Sequence, residues 1–129
     1  MVSDSILIHR ELTENVIGAA IDVHRALGPG LLESVYEECL CYELSCRGLN
    51  FQRQLELPVV YKNVRLDCGL RIDVLVEDCL VVELKCVERL HPIHESQLLI
   101  YIRLAKVRLG LLINFNVPVL KDGIVRRVV

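Results

Sequence analysis

The segment from Arg71 to Lys85 holds two carboxylates, Asp73 and Glu83, and a lysine, Lys85, whose side chains could do chemistry together. Carboxylate oxygens are the hard ligands that Mg²⁺ and Mn²⁺ prefer. A lysine beside them can hold a water molecule or balance charge that develops on a phosphate. These three side chains can cooperate only if the fold brings them to one place.

The same segment has the pattern of a β-hairpin. Apolar residues recur at every second position, at 72, 74 and 76 and again at 80, 82 and 84, which predicts two half-buried strands. The positions between them hold Arg71, Asp73 and Leu75 in the first strand and Val81, Glu83 and Lys85 in the second. The acidic pair Glu77-Asp78 between them suits a turn. A two-residue loop would pair Val76 with Cys79 and would mix apolar and charged side chains on both faces. A three-residue loop pairs Val76 with Leu80 and keeps the apolar residues together.

A one-residue slip sends every side chain to the other face of a sheet, so the apolar pattern favours the three-residue loop. In this register Asp73 stands directly opposite Glu83, and Arg71 opposite Lys85. The predicted apolar face contains Ile72, Val74, Val76, Leu80, Val82 and Leu84.

Two like charges directly opposite each other are unfavourable on a sheet. A divalent cation between Asp73 and Glu83 would remove that cost, and so would a raised pKa on one of them. A solvated polar strand face, partly neutralised by Arg71 and Lys85, explains the spacing equally well. The spacing alone leaves both interpretations open.

Length and composition predict one small domain. The chain of 129 residues fits a single core over residues 1–129. It is 53 % hydrophobic, yet no apolar run approaches the roughly 18 residues that span a bilayer. The N-terminus, residues 1–5, lacks the layout of a signal peptide, so we expect a cytoplasmic protein without membrane contact. The excess apolar surface is expected in the core or in a homo-oligomer interface.

The net charge of −2 excludes a basic nucleic-acid coat, so any affinity for phosphate must come from a local site. The six cysteines include no C-x-x-C pair. We therefore expect reduced, buried thiols in a cytosolic protein. A metal or iron–sulfur site built from Cys39, Cys41, Cys46 and a distant partner would match no standard ligand spacing.

Two helices are predicted in the N-terminal third, over residues 13–27 and 31–47. Thr13 is the expected N-cap of the first, and Gly28 and Gly48 suit the positions just past their ends. The residues expected to face inward are Val16, Ile17, Ala20, Ile21, His24 and Leu27 in the first helix and Leu32, Val35, Tyr36, Cys39, Leu40 and Leu44 in the second. On that stripe His24 is expected to be a satisfied core residue. Glu33 falls in the first turn of the second helix, where the helix dipole by itself favours a carboxylate.

The remainder of the chain alternates between strands and one further helix. A strand over 51–61, bent at Pro58, a turn at 62–63 and the hairpin strands 64–76 and 80–86 make an antiparallel meander. A helix over 92–106 places Gln97 and Tyr101 on one face. A buried strand over 108–115, parallel to its predecessor, and an edge strand over 124–129 complete the order ααβββαββ. The expected class is α/β, a mixed sheet with helices packed on it.

Three runs of residues resemble one family. The run LGPGLLESVY at 27–36 is similar to the signature of the GxxExxY proteins, with Gly30, Glu33 and Tyr36 as its letters. The runs PIHESQLLIY at 92–101 and GLLINFN at 110–116 resemble the same family, and the likeness covers roughly residues 12–128. GxxExxY proteins are placed within the PD-(D/E)XK nuclease superfamily. The resemblance therefore implies a restriction-endonuclease-like fold.

The resemblance also implies a site. It identifies Asp73 with the strand aspartate of the superfamily, although Ile72 stands where a proline is usual, and Glu83-Leu84-Lys85 with the (D/E)-X-K tripeptide. The implied ligands of Mg²⁺ or Mn²⁺ are Asp73, Glu83, the carbonyl of Leu84, and Glu33 as the acid of the first core helix. Gln97 and Tyr101 resemble the Q-x-x-x-Y element that contacts nucleic acid.

The expected function is metal-dependent hydrolysis of phosphodiester bonds in DNA by in-line attack of water, with Asp73, Glu83, Lys85 and Glu33 as catalytic residues. Two alternatives keep the fold without the reaction. One is a catalytically silent module that binds nucleic acid, and the other is a protein-interaction subunit.

Overall fold

A computed structural model describes residues 9–129. The elements are α1 (Arg10–Leu27), α2 (Glu33–Cys46), β1 (Phe51–Tyr61), β2 (Val64–Val76), β3 (Leu80–Lys85), α3 (Pro92–Leu104), β4 (Leu109–Asn114), a 3₁₀ turn (Leu120–Gly123) and β5 (Ile124–Val128). This confirms the predicted order ααβββαββ. The prediction about a signal peptide at residues 1–5 lies outside the described residues.

All five strands form one mixed sheet in the order β1-β2-β3-β4-β5. Neighbours are antiparallel except β3 and β4, which are parallel, as predicted from the helix that separates them. Helices α1 and α2 pack on one face of the sheet and α3 packs on the other. Strand β4 is therefore buried on both faces, which explains its nearly continuous apolar sequence. This architecture is the restriction-endonuclease-like fold that was expected.

Several details of the helices differ from the prediction. Helix α1 begins at Arg10, and the Thr13 hydroxyl donates to the carbonyl of His9 within its first turn, so the N-cap prediction is wrong. Leu32 precedes α2 and is 74 % exposed, so its predicted inward position is also wrong. Leu27 and Val35 are exposed as well. The inward stripe of α1 instead includes Ala19 and Val23.

Among the polar core candidates, His24 is confirmed as a satisfied buried residue, because its Nε2 lies 2.7 Å from the carbonyl oxygen of Val117. All six cysteines are free thiols. Of these, Cys41 is buried, and the prediction of buried thiols is confirmed for it alone. Cys39, Cys79 and Cys86 are half-buried, and Cys46 and Cys68 are exposed. No helix among the described residues is long and apolar enough to cross a membrane.

The hairpin register is confirmed near the turn and wrong beyond it. Three residue pairs join β2 to β3 in the predicted register, and the last is Val74 with Val82. The side chains of Val74 and Val76 pack under α1 and α2, but that of Ile72 packs under α3 with Leu75. The chain therefore bends between Ile72 and Val74, and the two strands separate there. Arg71 and Lys85 consequently do not pair, and Arg71 pairs with Glu56 of β1.

Candidate active site

The loop between α1 and α2 is folded by the residues of the G-x-x-E-x-x-Y run. Gly30 has φ 103, a conformation that side chains other than glycine rarely adopt. The hydroxyl of Tyr36 donates to the carbonyl of Gly28 and accepts from the N–H of Leu31 at 3.2 Å. Gly30 and Tyr36 thus shape the loop, and they leave Glu33 exposed in the first turn of α2.

Asp73 and Glu83 lie where β2 and β3 separate, and each side chain bonds the backbone of the opposite strand. The N–H of Asp73 donates to Glu83 Oε1 at 2.9 Å. The N–H of Leu84 donates to Asp73 Oδ2 at 2.8 Å. The two carboxylates therefore take the place of backbone carbonyls that the ladder no longer supplies.

Glu83 is buried, with 7 % of its surface exposed, and this burial favours the protonated form of its carboxyl group. Desolvation, and after it the negative charge of Asp73, raise the pKa of Glu83 to about 8. The hydrogen bond from the N–H of Asp73 and the positive charge of Lys85 oppose that shift. Two carboxyl groups in direct contact cannot both be ionised cheaply in a site with little water.

Desolvation is also the main cause of the raised pKa of Asp73. The N–H of Leu84 and the side chain of Gln54 lower this pKa, whereas the charges of Glu37 and Glu33 raise it. Glu33 therefore lies within electrostatic range of Asp73. The acids of the site come from α2, β2 and β3 together.

Lys85 is half-buried at the end of β3, two residues after Glu83 and so on the same side of the strand. Its positive charge acts on Glu83 and on His94. Among residues 9–129 Lys85 forms no ion pair, so its ammonium group is not committed to another acid. The carbonyl of Lys85 accepts from the N–H of Phe115 on the β4 side.

Leu84 contributes its backbone to the same place. In an extended strand the N–H and C=O of one residue point the same way. Because the N–H of Leu84 reaches Asp73 on the β2 side, its carbonyl also faces the gap between β2 and β3. The side chain of Leu84 is buried in the core under α1 and α2, as predicted.

One face of α3 borders the acids. Burial raises the pKa of the Tyr101 phenol, and the carboxylates of Glu83 and Asp73 raise it further, so the phenol lies near both. Gln97 lies one turn earlier on the helix and is exposed. The structure therefore brings Tyr101 to the acids, while Gln97 faces solvent beside it.

A family model described as the PD-(D/E)XK nuclease superfamily matches residues 10–128. The chain belongs to this superfamily. No curated protein and no solved structure matched the chain. Membership in the PD-(D/E)XK superfamily establishes the fold and a nuclease-type domain, and it leaves substrate and cofactor to be argued from the site.

Three residues at this PD-(D/E)XK site were not predicted from the sequence: Glu37, Gln54 and His94. Glu37 is buried one helical turn after Glu33, and His94 lies two turns before Tyr101 on α3. That helical spacing was available in the sequence and could have found both. Gln54 gave no such signal, because a glutamine in an edge strand usually faces solvent.

The donor set of this PD-(D/E)XK site fits Mg²⁺ or Mn²⁺ held partly by water. The described residues contain no group of three or more His, Cys, Asp or Glu side chains arranged to hold an ion. They do contain the buried carboxylate of Glu83 and the half-buried one of Asp73, whose mutual repulsion a cation would relieve, and the Leu84 carbonyl beside them. Mg²⁺ commonly keeps several waters and takes only one or two protein carboxylates, so this donor set is sufficient.

Proposed function

We propose that this chain is a nuclease that hydrolyses phosphodiester bonds in DNA with Mg²⁺ or Mn²⁺, by in-line attack of water. The observation that carries the proposal is the reciprocal hydrogen bonding of Asp73 and Glu83 in the partly buried gap that Lys85 borders. The resemblance of the loop at 27–36 to the GxxExxY proteins supports the same assignment at the level of the subfamily.

Asp73, Glu83 and the Leu84 carbonyl would hold the ion, and Glu33 would approach from the start of α2. When bound, such an ion polarises a phosphoryl oxygen and lowers the pKa of a water molecule. The cation would favour the ionised form of both carboxylates, and the protein's part is to aim them at one point. The bonds from the N–H groups of Asp73 and Leu84 serve that purpose, because each restrains one carboxylate oxygen.

Lys85 would orient the attacking water and balance the charge that develops on the phosphate. Its freedom from ion pairs among the described residues supports this role. Tyr101 and Gln97 would position the nucleic acid on the α3 side of the gap. Positioning matters because an offset of about an ångström at the reacting centre slows such reactions strongly.

The electrostatics favour a ligand site over an ordinary polar strand face. A solvated face would leave both carboxylates in water, where neither pKa would be raised. Here Glu83 is buried and its pKa is raised to about 8. Desolvating two neighbouring acids, one buried and one half-buried, costs stability, and a cation would offset that cost.

The decisive experiment is a cleavage assay with purified protein and Mn²⁺ on duplex, single-stranded and branched DNA. Low salt is required, because a chain with net charge −2 offers only a local attraction for phosphates. The matched control is Lys85→Ala, which should abolish cleavage while Mn²⁺ still binds in a calorimetric titration. Absence of cleavage of all three DNA forms by the wild type would contradict the proposal. Retained DNA binding without cleavage would indicate a silent binding module instead.

A further inference from the structure

A residue of the edge strand β1, Gln54, connects Asp73 to a second buried acid. Its side-chain nitrogen donates to Glu37 Oε1 at 2.6 Å and lies 3.3 Å from Asp73 Oδ1. Both acceptors are carboxylate oxygens, so the nitrogen end of the amide must face them, because the oxygen end would be repelled. Gln54 is thus a neutral donor placed between two acids.

The backbone of β1 is distorted at the same residue. Gln54 has φ 50, in the left-handed region that residues other than glycine rarely occupy. The regular pairs on either side are Arg53 with Val74 and Leu55 with Ile72, so the distortion faces Asp73 directly. Such conformations persist only where the surroundings enforce them, and they cluster at functional sites.

Glu37 supplies the fixed end of this connection. Only 8 % of Glu37 is exposed, and its Oε2 accepts from Arg53 Nη2 at 2.9 Å and Arg53 Nε at 3.2 Å. Arg53 also reaches Glu38 at 3.1 Å. Arg53 therefore anchors Glu37 as a charged acceptor with a set position, and the other oxygen of Glu37 holds the amide of Gln54.

We propose that Gln54, held by Glu37, is a positioning residue that fixes the Asp73 carboxylate for the cation. The N–H of Leu84 restrains Asp73 Oδ2, and Gln54 restrains Asp73 Oδ1, so rotation of the carboxylate about its last bond is opposed at both oxygens. The inference rests on the proposed function, since the fixed orientation serves an ion shared with Glu83. A neutral amide suits this position, because a third acid would add repulsion.

The test is calorimetric titration of Mn²⁺ into the wild-type protein, Gln54→Met and Gln54→Gly, each with thermal unfolding as a check on folding. Methionine keeps the length of the side chain and removes the donor. Loss of a group that orients a metal ligand typically weakens metal binding by roughly 10- to 100-fold. We expect that loss in both variants. In DNA cleavage, kcat should fall while KM for DNA stays unchanged.

Gln54→Gly separates positioning from a merely structural role. Glycine accepts φ 50 without strain, so this variant should unfold at a temperature no lower than Gln54→Met does, and yet it should lose as much Mn²⁺ affinity. The matched control is Gln52→Met, an exposed glutamine on the same strand, which should bind Mn²⁺ like the wild type.

The outcomes keep the two proposals apart. If the wild type binds Mn²⁺ and Gln54→Met binds it equally well or better, the positioning role is refuted and the proposed function stands. If the affinities fall as expected but no DNA is cleaved, only the proposed function fails. If the wild type binds no Mn²⁺, both are wrong.

Discussion

The backbone N–H of Asp73 donates to Glu83 Oε1 at 2.9 Å, so the acid of β3 holds the main chain of β2 at its bend. In return Asp73 Oδ2 accepts from the N–H of Leu84, next to Glu83. Each acid thereby fixes the strand that carries the other. The gap between the strands is set by these two bonds before any ligand arrives, and a buried and a half-buried carboxylate lie together as a result.

Stability of the metal-free protein should depend on pH through Glu83. The pKa of Glu83 rises from 4.5 to about 8 on folding, so between those values the folded protein binds more protons than the unfolded chain. The free energy of unfolding should therefore fall as the pH rises through this range, by at most about 1.4 kcal/mol per pH unit for this one group. Urea unfolding curves at several pH values, with a chelator present, measure the slope.

The matched variant is Glu83→Gln, which keeps an oxygen to accept from the N–H of Asp73 but cannot ionise. It should remove most of the fall in stability with pH, and the remainder would come from Asp73, whose pKa is also raised. A slope as steep in Glu83→Gln as in the wild type would show that other groups cause the dependence.

Addition of Mn²⁺ should reverse this pH dependence. A cation and protons compete for the same carboxylates, so the rise in unfolding temperature on adding Mn²⁺ should be larger near pH 8 than near pH 5. Asp73→Asn should abolish most of that rise. Thermal unfolding with and without Mn²⁺ at the two pH values is the measurement, and an equal rise at both values would contradict a site formed by Asp73 and Glu83.

Replacing Lys85 by methionine should separate catalysis from ion binding. The variant keeps the aliphatic stem of the half-buried side chain and loses only the ammonium group. Loss of one group that stabilises developing charge typically costs roughly 10²- to 10³-fold in kcat. We expect that loss of DNA cleavage with little change in unfolding temperature. Strongly weakened Mn²⁺ binding in Lys85→Met would instead assign Lys85 to the structure of the ion site.

The alternation of apolar residues predicted the pairing of β2 with β3 correctly near the turn, and it failed beyond Val74. Val74, Val76, Leu80 and Val82 alternate because they share one buried face, and the observed register agrees. Ile72 departs from the pattern because the strand bends at Asp73, where Gln54 of β1 reaches back to Glu37 of α2. A contact between three distant segments leaves no periodic trace in any one of them.

In the helices, too, local pattern predicted the elements but not their contacts with distant segments. Periodicity found α1, α2 and α3, but the inward stripe depends on which neighbour each helix packs against, and Leu32 and Val35 proved to be exposed. For the site, Asp73, Glu83 and Lys85 could be picked out from the sequence, because they lie on two predicted strands at a spacing that puts their side chains on one face. Their roles remain predictions. Gln54 could not be found from sequence, since its position depends on a left-handed backbone conformation.

Tyr36→Phe should destabilise the fold without disturbing the core. The variant keeps the ring that stacks on Phe115 at a centroid distance of 4.5 Å, but it leaves the carbonyl of Gly28 and the N–H of Leu31 without their shared partner. Because Gly28 is half-buried and Leu31 is exposed, water can partly replace the hydroxyl, and the lost hydrogen bond costs about 0.5–1.5 kcal/mol. Urea unfolding measures the loss. Tyr42→Phe, at a 70 % exposed position of the same helix, is the matched control and should be nearly neutral.

Gly110→Ala should disturb the packing of α3 on β4 and thereby test whether that helix completes the site. A Cβ at Gly110 would lie 2.7 Å from Ile102 Cδ1 and 2.8 Å from Leu98 Cδ1, so the ends of these two buried side chains must move, and α3 must repack on β4. Overpacking of this kind typically costs about 1–3 kcal/mol. Because α3 carries Tyr101, we expect DNA cleavage to fall even at temperatures where the variant is fully folded. Adding Ile102→Val should restore part of both losses, since it removes the methyl group that the new Cβ would meet. Loss of stability with unchanged cleavage would mean that the position of α3 does not matter to the reaction.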